Sequence, residues 1–157
     1  MARTIATTTH VDLDGLLEFA RPRHQMVLMT TRADGRPQAS PVTGGVDPQG
    51  RIVISTYPGR AKTVNARRDP RVGVLVLSDD FGGAWVQLDG ECEVIDPPDS
   101  VEPLVEYFRC ISGEHPDWDE YRRAMAEQGK SLLRVTTTRW GPVATGGFPA
   151  RFADPDA

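Results

Sequence analysis

The 157-residue sequence contains few cysteines, few lysines and no long apolar run. Its two cysteines, Cys92 and Cys110, form no C-x-x-C motif, so the sequence indicates neither a disulfide framework nor a zinc knuckle and predicts two buried structural thiols. The apolar stretch at 72–77 is far shorter than the roughly 18 residues that a transmembrane helix needs. Residues 1–10 lack the apolar core of a secretory signal, so we expect a cytoplasmic protein.

Several chemistry-bearing motifs are also missing. No G-x-G-x-x-G lies between a strand and a helix, and no G-x-S-x-G nucleophile elbow occurs. Residues 124–131 nearly match a phosphate loop, but Ala124 replaces the first glycine and the segment leads from helix to strand. The three histidines share no metal-ligand spacing, and the net charge of −4 argues against a nucleic-acid partner. The sequence therefore predicts no metal site and no catalytic side chain.

Hydrophobic periodicity predicts a single α+β domain over 1–157, with its core at about 12–142. Three strand-like runs separated by turns at 34–35 and 47–50 predict an antiparallel meander, and prolines in the middle run place that strand at an edge or bulge. Strands are predicted at 25–31, 36–43, 51–57, 71–77, 84–95 and 131–140, and helices at 12–20, 60–68, 96–111 and 118–129. The expected fold is a barrel of about six strands with helices outside, a possible bulge at Gly90, and a Gly/Pro-rich tail from 141.

The segment 55–65 combines hydroxyl groups at a strand end, a Pro-Gly break, and a basic first turn of a helix. The free N–H groups and the positive dipole at such a helix start attract anions. Residues 58–71 contain five basic residues and one acidic residue, against the sign of the whole chain. This reversal predicts a phosphate or polyanion site at Arg60 and Lys62, and the alternative is a cationic, solvated helix. Lys62 is informative because the chain has only one other lysine, Lys130, against 16 arginines.

Four segments together resemble the pyridoxamine-phosphate-oxidase-like split-barrel family, and within it the deazaflavin-dependent oxidoreductases that use coenzyme F420. They are 34–42 (DGRPQASPV), 60–65 (RAKTVN), 68–71 (RDPR) and 113–122 (GEHPDWDEYR). The resemblance spans about residues 12–142 and implies a six-stranded antiparallel split barrel with flanking helices. It also implies a homodimer with two cofactor sites at the interface. Because the deazaflavin itself carries the hydride, the absence of a catalytic side chain agrees with this family.

The resemblance assigns cofactor-binding residues to three segments and to two rim positions. The strand along the deazaflavin ring supplies Gln38, Ser40, Pro41 and Val42. The ribityl and phosphate segment supplies Ser55, Thr56, Tyr57, Pro58, Gly59, Arg60, Ala61, Lys62 and Thr63. The partner subunit supplies Gly83, Ala84, Trp85 and Val86, and the rim has Arg23 and Trp140.

The implied function is hydride transfer from reduced F420 to an unsaturated small molecule whose identity the sequence does not give. The alternatives are an FMN-dependent oxidase or reductase of the same fold, or a non-catalytic F420 carrier. We further expect the polyglutamate tail of F420 to lie across Arg67, Arg68 and Arg71, unless these pair with Asp69 and its neighbours. Trp85 is expected in a dimer interface, and the alternative is a tryptophan at the edge of the core.

Overall fold

The computed structural model describes residues 3–155. Its strands are β1 (Thr7–Thr9), β2 (Gln25–Thr31), β3 (Pro37–Val46), β4 (Ile52–Thr56), β5 (Arg71–Val76), β6 (Val86–Ile95), β7 (Ser131–Trp140) and β8 (Val143–Thr145). Its helices are α1 (Leu13–Ala20), α2 (Ala61–Arg68), α3 (Val101–Ser112) and α4 (Trp118–Gln128), and a 3-10 turn covers Ala150–Phe152.

Six antiparallel strands close into a barrel in the order β2-β3-β4-β7-β6-β5. This confirms the predicted fold class and the β2-β3-β4 meander. The register of β6 against β7 shifts between Asp89 and Gly90, which confirms the predicted bulge. A Cβ atom at Gly90 would lie 2.5 Å from the carbonyl oxygen of Thr136, so only glycine allows the two strands to approach this closely.

Strand β3 pairs along its length with β2 but only at its end with β4. The β2 ladder covers 37–43, whereas the β4 ladder covers Gly44, Gly45 and Val46. Both predicted edge prolines, Pro37 and Pro41, lie in the part of β3 that has no β4 partner, where the missing N–H of proline disrupts no second ladder. Over residues 37–43, before Gly44, β3 and β4 are therefore separated, and this gap is the split in the barrel.

Two apolar cores stabilise the fold. The barrel interior is filled by side chains that alternate along the strands, such as Leu28, Val74 and Leu88, each fully buried. A smaller core joins α3 and α4 to the outside of β4 and β7, with Leu104 at its centre. Asp117 caps α4 by accepting a hydrogen bond from the Glu120 N–H at 3.1 Å.

The N-terminal segment and the tail form a small ribbon that the sequence did not predict. Strands β1 and β8 pair antiparallel, with Thr7 opposite Thr145. Ala144 also exchanges two backbone hydrogen bonds of 2.9 Å with Trp85, which attaches the ribbon to the barrel just before β6. Each strand has only three residues, and these are too few to show a period of two, so the pattern of apolar residues could not reveal them.

Cys92 is buried and Cys110 is half-buried, and both are free thiols. The sequence prediction is therefore correct for Cys92 and only partly so for Cys110, whose helix lies at the surface of the barrel. Within residues 3–155, no helix is long and apolar enough to cross a membrane.

Candidate functional site

A cavity of about 260 Å³ lies where β4 ends and α2 begins. It is lined by Ser55, Thr56, Tyr57, Arg60, Lys62 and Lys130. The cavity thus contains both lysines of the chain and one arginine. Over residues 3–155 none of these three cations forms an ion pair, so their charge is available to a ligand.

The polypeptide turn that shapes this cavity is held by buried threonine hydroxyls. Thr63 is fully buried, and its hydroxyl donates to the carbonyl oxygen of Tyr57 at 2.8 Å. The hydroxyls of Thr63 and Thr56 lie 3.0 Å apart, and because Thr63 donates to Tyr57, Thr56 is the donor of this second bond. Thr63, expected from the sequence to bind the cofactor, therefore positions the cavity wall and does not line it.

The first turn of α2 offers backbone donors to the same cavity. The N–H groups of Thr63 and Val64 both donate to the Arg60 carbonyl at 3.0 Å. Arg60 is the N-cap, and no side chain caps the helix. In the part of the chain that is described, the N–H groups of Ala61 and Lys62 have no hydrogen-bond acceptor. Such free N–H groups at a helix start, next to cationic side chains, suit an oxyanion such as phosphate.

The charges around this cavity favour the binding of an anion. Burial lowers the pKa of Lys62, and the positive charge of nearby Arg60 lowers it further. Both effects raise the free energy of the charged lysine, and a bound anion would offset both. Arg60 and Lys62 therefore fit the phosphate group that the sequence analysis expected there.

The other basic residues of this region already have partners. Arg67 Nη2 donates to both carboxylate oxygens of Asp96, at 2.8 and 2.9 Å, and Arg71 pairs with Asp69 at 2.9 Å. Arg68 donates to the Thr31 carbonyl at 2.7 Å. Arg71 thus follows the alternative expected from the sequence, pairing with Asp69, whereas Arg67 pairs with Asp96 and Arg68 contacts only neutral oxygen atoms in the described chain. Two of the three arginines therefore already have a carboxylate partner.

The predicted ring-binding residues of β3 lie beside the gap between β3 and β4. The Gln38 amide donates to the Ser40 hydroxyl at 2.7 Å, and Gln38 accepts from the Thr30 hydroxyl at 2.9 Å. Asn65 of α2 donates to the same Thr30 oxygen at 3.1 Å. Gln38 and Ser40 are thus linked to the helix that forms the anion cavity. Val42 packs against the barrel core, and Pro41 is exposed on the outer face.

The remaining predicted residues form a second group around the start of β6. Arg23 donates to the Ser78 hydroxyl at 3.2 Å, and Ser78 donates to the Ala84 carbonyl at 2.6 Å. A cavity of about 340 Å³ is lined by Trp85, Gln87, Asp89, Arg139, Trp140, Gly141 and Pro142. Trp140 is anchored there by a 2.8 Å hydrogen bond from its indole N–H to the Val11 carbonyl.

One chain does not bring the two groups together. The anion cavity adjoins Ser131, at the start of β7, whereas Trp140 is the last residue of that ten-residue strand. At roughly 3.3 Å per residue the two ends are about 30 Å apart. A single cofactor ring cannot contact both groups of one copy.

Comparison with known proteins identifies the family. Residues 14–144 match the family model described as pyridoxamine 5'-phosphate oxidase. The chain belongs to the pyridoxamine 5'-phosphate oxidase family. It is also 37% identical, over 98 residues, to an F420H(2)-dependent biliverdin reductase of Mycobacterium tuberculosis, a match that covers 62% of this chain and 69% of that protein.

Two solved structures share the fold of this family member. A conserved hypothetical protein from Mycobacterium tuberculosis superposes with a TM-score of 0.70 at 21% identity, and the match covers 86% of each chain. A protein described as F420 reductase superposes with a TM-score of 0.60 at 20% identity, covering 85% of this chain and 98% of that one. The family resemblance given by the sequence motifs is thereby confirmed.

The sequence analysis missed one residue of the cavity, Lys130. Its neighbour Ser131 pairs with Thr56, so the ladder between β4 and β7 places Lys130 beside Tyr57. Its Nζ lies 5.7 Å from the centre of the Tyr57 ring. The scarcity of lysine in this family member was the available signal, because the only two lysines line one cavity.

Proposed function

We propose that this protein is an oxidoreductase that uses coenzyme F420 to reduce an unsaturated small molecule. The observation that carries the proposal is the cavity where β4 meets α2, with two unpaired cations, Arg60 and Lys62, and two free helix N–H groups. The names of the 37% identical relative and of one structural neighbour support F420 as the cofactor. When bound, F420 supplies the hydride.

Arg60 and Lys62 hold the phosphate in this proposal. The guanidinium group of Arg60 would hold one oxyanion through its paired N–H donors, whereas the half-buried Lys62 would contribute a compact charge. The N–H groups of Ala61 and Lys62 complete the set of donors. Thr63 and Thr56 keep the turn at Tyr57 in the conformation that brings these donors together.

The free edge of β3 orients the planar ring. Residues 37–43 pair with β2 on one side, and in the described chain they have no strand on the other. Except at Pro37 and Pro41, which lack an N–H group, this unpaired strand edge presents both N–H and C=O groups, which match the donors and acceptors on the polar edge of a flavin-like ring. Gln38 and Ser40 are held in one conformation by their mutual hydrogen bond and by Thr30, so the strand is a rigid support.

A second copy of the chain completes the site. Apolar residues of three neighbouring strands, β3, β2 and β5, lie side by side on the outer face of the barrel. Across these strands the neighbours are Pro41, Val27 and Leu75, and two residues further along they are Ala39, Met29 and Gly73. This face is apolar and half-exposed, and Trp85 at its end is 39% exposed. Pairing two such faces would bury the patch and would bring the second group of one copy towards the anion cavity of the other. We therefore propose a homodimer whose Gly83–Val86 segment contributes to its partner's site.

In this proposal the side chains of the protein bind and orient the cofactor and the substrate, and none needs to act as a nucleophile. Solvent supplies the proton that follows reduction of the substrate. The substrate is an unsaturated small molecule, and the cytoplasmic location expected from the sequence stays a prediction.

The decisive experiment uses protein purified from a host that makes no deazaflavin. Colourless protein that binds added F420 in a fluorescence titration supports the proposal, whereas yellow protein with oxidised-flavin absorbance supports FMN as the cofactor instead. The F420-bound protein is then tested with reduced cofactor and a panel of quinones, enones and tetrapyrroles. Tight binding without oxidation of the cofactor by any substrate would favour the carrier function.

A further inference from the structure

The anion cavity has a third cationic residue, Lys130, besides Arg60 and Lys62. Lys130 lies on the wall formed by the start of β7, whereas Arg60 and Lys62 lie on the wall formed by α2. The Tyr57 ring is close to both walls, with the Arg60 guanidinium carbon 5.9 Å and the Lys130 Nζ 5.7 Å from its centre. The cavity therefore offers cationic groups on two separate elements.

The backbone of Lys130 is fixed at this position. Its carbonyl oxygen accepts a 2.6 Å hydrogen bond from the hydroxyl of Ser100, a residue that is 1% exposed. The next residue, Ser131, is fully buried and donates to the Asp96 carboxylate at 2.6 Å. These two hydrogen bonds fix the backbone where Lys130 leads into β7, and the Lys130 side chain lines the cavity from there.

Asp96, which is hydrogen-bonded to the neighbouring Ser131, does not pair with Lys130. Its carboxylate already accepts hydrogen bonds from Arg67 Nη2 and from the Ser131 hydroxyl. No ion pair of Lys130 occurs among residues 3–155. Lys130 is half-buried beside an aromatic ring and has no carboxylate partner in the described chain. An anionic group of a ligand would therefore stabilise its charge.

We propose that Lys130 binds a second anionic group of the ligand, a carboxylate that lies beyond the phosphate. The proposal rests on the proposed function, and it assigns the carboxylate-bearing tail of the cofactor to the β7 wall of the cavity. Arg67, Arg68 and Arg71, which were expected to hold that tail, have partners within the chain.

The test compares two ligands on variants of the full-length protein. One ligand is F420 with its glutamate tail, and the other is the same deazaflavin truncated at the phosphate. Lys130→Ala is expected to weaken binding of the tailed form by about three- to fivefold at low salt and to leave the truncated form unchanged. Lys130→Arg should restore binding of the tailed form. Arg123→Ala removes the same charge from the exposed face of α4 and should change neither affinity.

The outcomes separate this inference from the proposed function. If Lys130→Ala changes neither affinity, or weakens both ligands equally, Lys130 is not a tail ligand although F420 binding stands. If the wild-type protein binds neither form, both proposals are overturned. A thermal-unfolding curve for Lys130→Ala that matches the wild type ensures that a lost affinity reflects a lost contact.

Discussion

Thr56, the last residue of β4, and Thr63, in the first turn of α2, share a buried hydrogen bond of 3.0 Å. Through it and the bond from Thr63 to the Tyr57 carbonyl, the six residues between them form a fixed turn. Arg60 and Lys62 both belong to this turn or to the helix start that it aligns. The Thr63 hydroxyl, which does not line the cavity, thus fixes the positions of Arg60 and Lys62.

Thr63→Val tests that relationship. The change keeps the shape of the side chain but leaves the Tyr57 carbonyl without its donor, so we expect a loss of about 1 to 3 kcal/mol in the free energy of unfolding. Chemical denaturation measures this loss, and a fluorescence titration should show weaker cofactor binding by the folded variant. Thr63→Ser retains the hydroxyl and should preserve the affinity. Normal affinity in Thr63→Val would show that the turn forms without the bond.

Lys62→Ala removes the half-buried charge of the phosphate site. We expect it to weaken F420 binding by about 1.5 to 3 kcal/mol, the range of a charge-assisted hydrogen bond. Lys62→Arg retains the charge and should recover part of the affinity. A fluorescence titration in which Lys62→Ala equals the wild type would remove the phosphate from this cavity.

Leu75→Arg tests the apolar outer face. Leu75 is half-exposed and its neighbour across the ladder is Val27, so an arginine there would place an unpaired charge in the proposed interface. Light scattering should give about twice 17.2 kDa for the wild type and a single-chain mass for the variant. Leu13→Arg, on the exposed side of α1, should remain dimeric. A wild-type monomer that binds F420 at full affinity would refute the two-copy site.

The Asp96 carboxylate predicts an acid-dependent stability. The hydrogen bond from Ser131 lowers its pKa most, and the bond and charge of Arg67 lower it further. A folded-state pKa below the unfolded value near 3.9 means that this contribution is present above about pH 4 and is lost as the pH falls through the folded pKa. Asp96→Asn should therefore be less stable than the wild type at pH 7, with the difference shrinking below pH 4 in urea titrations. Asp99→Asn, exposed beside it, should show no such convergence.

The two thiols should react at different rates. Burial and, to a smaller extent, the charge of Glu93 raise the pKa of Cys92 to about 12, so almost no thiolate forms near neutral pH. Burial also raises the pKa of Cys110, but that side chain is only half-buried. We expect a thiol reagent at pH 8 to modify Cys110 first and Cys92 only on unfolding. A fast phase that persists in Cys110→Ala would contradict this.

Local patterns revealed the barrel better than they revealed the site. The six barrel strands and four helices could be predicted because alternation and 3.6-residue spacing are properties of short windows. Arg60 and Lys62 could be found because a basic helix start is also local. Lys130 could not, since it reaches Tyr57 only through the pairing of Ser131 with Thr56, 75 positions away in the sequence.

The separation of the predicted site into two groups was equally invisible in the sequence. Trp85 and Trp140 are close together because β6 and β7 pair, and they are distant from Lys62 because β7 extends between them. Only the strand pairings of the folded chain reveal which of these residues are close together and which are far apart. The family resemblance had already assigned 83–86 to a partner subunit, and the distance within one chain supports that assignment.

The β1–β8 ribbon has a consequence for the order of folding. Thr7 and Thr145 are 138 positions apart, so closing this contact has a large entropic cost that the neighbouring strands of the meander avoid. The ribbon is also exposed along β1 and has little apolar area to bury. We therefore expect it to form after the barrel and to open before it. Amide hydrogens of the ribbon should exchange with deuterium while those of β2 and β5 are still protected, and each opening would uncover the backbone of Trp85.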